Sequence, residues 1–133
     1  MKDYFNVSLD KSEIAAQNIL ALAHLGDSVY ELMVRTKICT ESGLTNRGMH
    51  SETLKYVNAE AQYNAYIKIK DSLTPEETSV FLRGRNAHVR TLPKNADPAK
   101  YHAATGLEAV FGALWLQGNH NRLNELFDMI IDT

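Results

Sequence analysis

The alternation of apolar and polar positions divides the chain into helical segments. Residues Leu20 to Arg35, LALAHLGDSVYELMVR, read as a helix that is apolar almost all the way round. Leu22, Leu25, Val29, Leu32 and Met33 recur at helical spacing, and Ala21, Ala23, Tyr30 and Val34 fill much of the rest. Such a helix is expected to be central and buried, and it fades near Glu41, where Ser42-Gly43 is a stop signal. Residues Ala103 to Leu116, AATGLEAVFGALWL, repeat the design within a helix expected from about Ala99 to Gln117, ended by Gly118-Asn119. Between the two, Thr45 or Asn46 caps a helix through Lys55, and Asn58 to Lys70 gives another with Ala61, Ala65 and Ile69 on one face. Thr74-Pro75-Glu76-Glu77 opens the next, with a threonine cap, proline at the first position and Glu77 placed for a capping box; it runs to about Arg85. Residues 86–98 hold two prolines and an Asn-Ala-Asp cluster and read as an ordered loop. Before the central helix come an extended arm, Met1 to Leu9, anchored by Tyr4 and Phe5, and a helix start at Ser12 that leads into it. The last helix turns Leu123, Leu126, Phe127 and Ile130 inward. No segment has the strand period. The expectation is an all-α fold of about six or seven helices, one domain over residues 1–133.

Composition narrows the class. No run of about 18 apolar residues suggests a membrane span, and the N-terminus, MKDYFNVSLDKSEI, has no apolar signal core. Cys39 is the one cysteine, so no intrachain disulfide forms, and a reducing cytoplasm fits. The net charge of −2 does not advertise nucleic-acid binding, but its distribution does. From Arg83 to His102 there are five basic residues against one acid, whereas the remainder carries nine basic residues against fifteen acids. The segment FLRGRNAHVRTLPKN has the composition of a backbone reader. Arg83, Arg85, Arg90 and Lys94 suit phosphates, Asn86 suits a sugar or base edge, and His88 occupies a position natural for a basic residue. A solvated basic loop is the competing reading.

Two carboxylates stand out because their surroundings disfavour them. Asp27 lies beside Gly26 in the middle of the first apolar helix, and Glu108 is the only charge in the second, flanked by Gly106 and Gly112. Alone, each reads equally well as an acid paired to an arginine. Together, on two helices that can pack, they point to a divalent metal. Mg²⁺ takes one or two carboxylates, keeps several waters and completes its shell with phosphate oxygens. Zinc is disfavoured, since the five histidines are scattered and none pairs with Cys39 at ligand spacing. No glycine-rich phosphate loop or nucleophile elbow occurs. His24, one turn before Asp27, reads more readily as a packed or half-exposed residue than as a catalytic one.

These stretches together resemble the catalytic domain of the ribonuclease III family. Leu22-Ala23-His24-Leu25-Gly26-Asp27-Ser28-Val29-Tyr30 stands where that family has a signature of the form LEFLGDAVL. Glu108-Ala109-Val110-Phe111-Gly112-Ala113-Leu114-Trp115-Leu116 follows its EA–x–x–GA–x–YL pattern. The HLGDSVYE core, the Arg83-Gly84-Arg85-Asn86-Ala87 loop, Pro93-Lys94-Asn95 and the Thr105-Gly106 approach to Glu108 are similar to the short bacterial branch, Mini-ribonuclease III. Two acidic positions of the larger family are Ala23 and Thr105 here, so the resemblance leaves metal binding to Asp27 and Glu108, with waters and RNA completing the shell. It implies an endoribonuclease that uses Mg²⁺, with Mn²⁺ as a substitute. It implies a homodimer with a cleft across the two-fold axis, each subunit cutting one strand of double-stranded RNA and leaving staggered 3′ ends. In the short branch the associated task is maturing the ends of the 23S ribosomal RNA precursor. No double-stranded-RNA-binding domain is expected, so the catalytic domain itself must grip the RNA. Two other functions compete: a non-catalytic RNA-binding dimer on the same scaffold, and an all-α nucleotide phosphohydrolase, whose dense acids or His-Asp pair are not found.

Overall fold

A computed structural model describes residues 1–89 and 91–132. Seven α-helices and one 3₁₀ turn form among them, with no strand: α1 (Lys11–Ala15), α2 (Ile19–Glu41), α3 (Asn46–Val57), α4 (Ala59–Ile69), the turn Lys70–Ser72, α5 (Pro75–Arg85), α6 (Pro98–Leu116) and α7 (His120–Ile131). The central element is α6, on which α2, α4, α5 and α7 all pack. From Ala103 to Leu114 every residue except Glu108 is buried. Asp97 starts this helix by accepting from the Ala99 and Lys100 amides, and Pro98 occupies the first position, where its missing N–H costs nothing.

Small residues set how closely the helices cross. A Cβ on Gly26 of α2 would overlap the Glu108 carbonyl, and one on Gly112 of α6 would overlap the Leu22 carbonyl. The two backbones therefore touch, which only glycine at both positions permits. A second tight crossing joins α5 to α6, where a Cβ on Gly84 would stand 2.9 Å from the Gly106 Cα. Around these crossings Tyr30 meets Phe111 and Phe127 edge-on, at 5.2 and 6.0 Å between ring centres, and Tyr66 stacks on Phe81 at 3.9 Å.

The capping expected at Thr74 forms in full. The Thr74 hydroxyl accepts from the Glu77 amide, and the Glu77 side chain accepts from the Thr74 amide. Glu77 also receives two hydrogen bonds from Arg122 of α7, both 2.9 Å, and Arg122 donates further to the Ser72 carbonyl at 2.6 Å. This largely buried pair ties the start of α5 to the last helix. Asn58 serves two helices: its Nδ2 donates to the Leu54 carbonyl at the end of α3, and its Oδ1 accepts from the Ala61 amide at the start of α4.

Two expectations need correction. The helix starting near Ser12 does not run into α2. Asp10 caps a short separate helix, and Asn18 then restarts the chain by accepting from the Leu20 and Ala21 amides. Nor is α2 buried all round. Leu22, Ala23, Gly26, Val29, Tyr30, Val34 and Ile38 are buried, but Leu20, His24, Asp27, Ser28, Leu32 and Arg35 form an exposed stripe. The reason is coverage: α3, α5 and α6 pack on α2, and among the described residues the stripe from Leu20 to Arg35 is left exposed. Among the described residues no helix is long and apolar enough to cross a membrane.

Candidate active site

The glycine crossing decides where the two acids meet. Gly26 precedes Asp27 in α2, and the backbone it lies against is that of Glu108 in α6. Both side chains open into one cavity of about 400 Å³, lined also by His24, Gln62, Tyr101 and Thr105. Asp27 is exposed rather than buried, and Glu108 is half-buried. The expected convergence of the acids holds, whereas the expected burial applies to only one of them. Burial pushes the Glu108 carboxyl up to about 9, and a hydrogen bond with Asp27 together with the Asp27 charge adds to the effect. The Gln62 amide opposes it, favouring the anion.

Ala23 and Thr105, the two positions where the resemblance lacks an acid, both line the cavity. Ala23 is buried under the cavity. Thr105 is also buried, and its hydroxyl donates to the Tyr101 carbonyl at 3.1 Å within α6. His24 lines the cavity from its exposed edge.

The basic positions divide into two groups. Arg83 is set apart: its Nη2 donates to the Gln17 carbonyl at 3.2 Å, bracing the turn between α1 and α2. It lines a separate cavity of about 340 Å³ between α1, α5 and α6. Arg85, Asn86, His88 and Lys94 are exposed, with the Arg85 Nε donating to Asn86 Oδ1 at 3.2 Å and Asn86 closing the end of α5. Val89 of the same loop lines the acid cavity, so the loop begins at the rim of the site. Arg90 lies outside the described residues.

Two site residues escape sequence reasoning. Gln62 is 2% exposed, and its Nε2 has no hydrogen-bond partner among the described residues. The available signal is its place on the inward stripe Gln62, Ala65, Ile69 of α4, where an amide interrupts apolar neighbours. Tyr101, in the first turn of α6, lies four residues before Thr105, which puts both on one face.

The donor set suits a hard divalent cation. The groups that meet in the cavity offer carboxylate, amide and hydroxyl oxygens. Among the described residues no three or more His, Cys, Asp or Glu side chains group to hold a metal. A cation held here would draw on two carboxylates of the described residues, with most of its coordination shell left open. A desolvated acid beside another acid is itself an arrangement that a cation relieves.

Residues 20–119 match the Ribonuclease III domain family. The chain belongs to the ribonuclease III family. It is 38% identical over 123 residues to a Mini-ribonuclease 3 from Thermoanaerobacter, covering 92% of this chain and 87% of that one. It is 41% identical over 113 residues to the Mini-ribonuclease 3 of Symbiobacterium thermophilum, covering 85% and 87%. A crystal structure of a Fusobacterium nucleatum protein superposes with a TM-score of 0.82 at 28% identity, covering 91% of this chain and 98% of that one. The helical architecture is that of the family, and the branch resembled in sequence is the branch matched. Family membership makes this chain an endoribonuclease.

Proposed function

We propose that this protein is a Mg²⁺-dependent endonuclease of double-stranded RNA that works as a homodimer in the cytoplasm and matures the ends of the 23S ribosomal RNA precursor. The observation that carries the metal-dependent chemistry is the convergence of Asp27 and Glu108, one open to water and one desolvated, in a cavity with the basic loop at its rim. Asp27 and Glu108 would hold the cation. Bound there, Mg²⁺ or Mn²⁺ would supply a more acidic water and offset charge on the phosphoryl group. To become a ligand Glu108 would release its proton to water. Arg85, Asn86, His88 and Lys94 would bind phosphates and sugars and set the register of the duplex without touching the reacting bond. A dimer doubles this basic footprint on a chain whose net charge is slightly acidic.

The test is cleavage of a structured RNA bearing a long duplex, against a single-stranded control, with Mg²⁺ and with a chelator. The duplex alone should be cut, and only with Mg²⁺. Asp27→Asn and Glu108→Gln should each lower the single-turnover rate by roughly a thousandfold, since a metal supplies several kcal/mol at about 1.4 kcal/mol per tenfold. Duplex binding should persist in both. Binding without cleavage by the unaltered protein would instead support a non-catalytic RNA-binding dimer, and near-normal turnover by either variant would refute the assignment of the acids.

A further inference from the structure

Gln62 sits in the wall of the acid cavity with its amide donor unpaired among the described residues. It is buried on the inward face of α4, which packs on α6, and its neighbours on that face, Ala65 and Ile69, are apolar and buried. Leaving a buried amide donor unpaired costs about 1–3 kcal/mol. Packing gives no reason for that cost, because an apolar side chain of similar volume would fill the space without it. Its Nε2 has no partner among the described residues, yet Gln62 and Glu108 line the same cavity, and the amide favours the Glu108 anion.

Glu108 is the acid that needs such help. Three torsions separate its carboxylate from the α6 backbone, and the last is broad, so the side chain alone does not decide which oxygen faces Asp27. A carboxylate has about four lone-pair sites, of which a cation takes one or two. A donor on the remaining oxygen fixes the rotation, as outer partners commonly do for carboxylate ligands.

We propose that Gln62 is a positioning residue: its Nε2 donates to the Glu108 carboxylate in the metal-loaded site and fixes the oxygen presented toward Asp27. This rests on the reading of Asp27 and Glu108 as metal ligands.

The experiment titrates Mn²⁺ alone, without RNA, into the full-length protein by calorimetry. Gln62→Met and Gln62→Leu, both without donors, are compared with the unaltered protein and with Asp27→Asn. Both Gln62 variants should bind Mn²⁺ about tenfold more weakly. Their metal-free melting temperatures should equal or exceed that of the unaltered protein, and duplex affinity in chelator should not change. Unaltered Mn²⁺ affinity in both variants would overturn the proposal. So would a lower melting temperature in both metal-free variants, since the amide would then be holding the fold rather than the ligand. If Asp27→Asn loses Mn²⁺ while both Gln62 variants retain it, only the positioning role fails. If Asp27→Asn binds as well as the unaltered protein, the ligand assignment falls and Gln62 with it.

Discussion

The two long helices carry one acid each and treat it in opposite ways. On α2 the acid lies on a stripe open to water, with His24 and Ser28 beside it and a Glu31–Arg35 ion pair of 2.6 Å further along. On α6 the acid is the one residue between Ala103 and Leu114 that is not buried outright, and four helices pack on α6. Asp27 keeps its contact with solvent, whereas Glu108 is pushed up to about 9 by its surroundings. The pair therefore combines one carboxyl open to water with one whose burial favours its neutral form. That asymmetry comes from coverage rather than from local sequence, because both helices are apolar runs with a glycine near the acid.

The largest effect should come from spoiling the crossing that brings the two environments together. Gly26→Ala puts a methyl into the Glu108 carbonyl, so the helices must separate. A loss of roughly 3 kcal/mol in stability is expected, together with loss of cleavage. The same substitution at Gly48, in α3, meets nothing nearer than 3.4 Å and should stabilise by about 0.5–1 kcal/mol. Denaturant titration of the two variants checks this, and equal effects would mean that the crossing is not tight.

A smaller effect should follow from removing the desolvated acid alone. The folded-state pKa of Glu108 is raised from 4.5 to about 9, so the folded protein holds a proton that the unfolded chain releases. Stability of the metal-free protein therefore falls as pH rises through that window, and full stabilisation belongs to the acidic side. Glu108→Gln lacks the group, so its melting temperature relative to the unaltered protein should climb from pH 5 to pH 9. A difference that stays constant across that range would show that Glu108 is not desolvated.

The smallest effects belong to the rim. Arg85→Ala and Lys94→Ala should weaken duplex binding and flatten its salt dependence, each by about one unit in the log–log slope. The rate at saturating RNA should fall much less, because neither side chain lines the acid cavity. If affinity and slope stay unchanged in both variants, the loop is a solvated connector.

Much of this arrangement is legible in the sequence, and what is hidden has a common cause. Thr74-Pro75-Glu76-Glu77 predicts the start of α5 because capping is local chemistry, and α5 ends at Arg85 as expected. The pairing of Asp27 with Glu108 is legible because a lone acid among small apolar residues is costly unless something meets it. The exposure of Asp27 is not, since it depends on which neighbours cover α2. The break at Asn18 escapes because the residues around it also suit an unbroken helix. Gln62 escapes because an isolated glutamine on a helix normally faces water. Only the packing of α4 on α6 shows that this one does not.

If Asp27 and Glu108 form the proposed divalent-metal site, binding a cation should displace the Glu108 proton into solvent. Calorimetric titration of Mg²⁺ into the metal-free protein at pH 7, in two buffers of different ionisation enthalpy, counts the protons released. The unaltered protein should release about one proton per bound ion, because a carboxyl near 9 is protonated at that pH. Glu108→Gln should release none and bind far more weakly. Tight binding without proton release, or unchanged affinity in Glu108→Gln, would contradict the account.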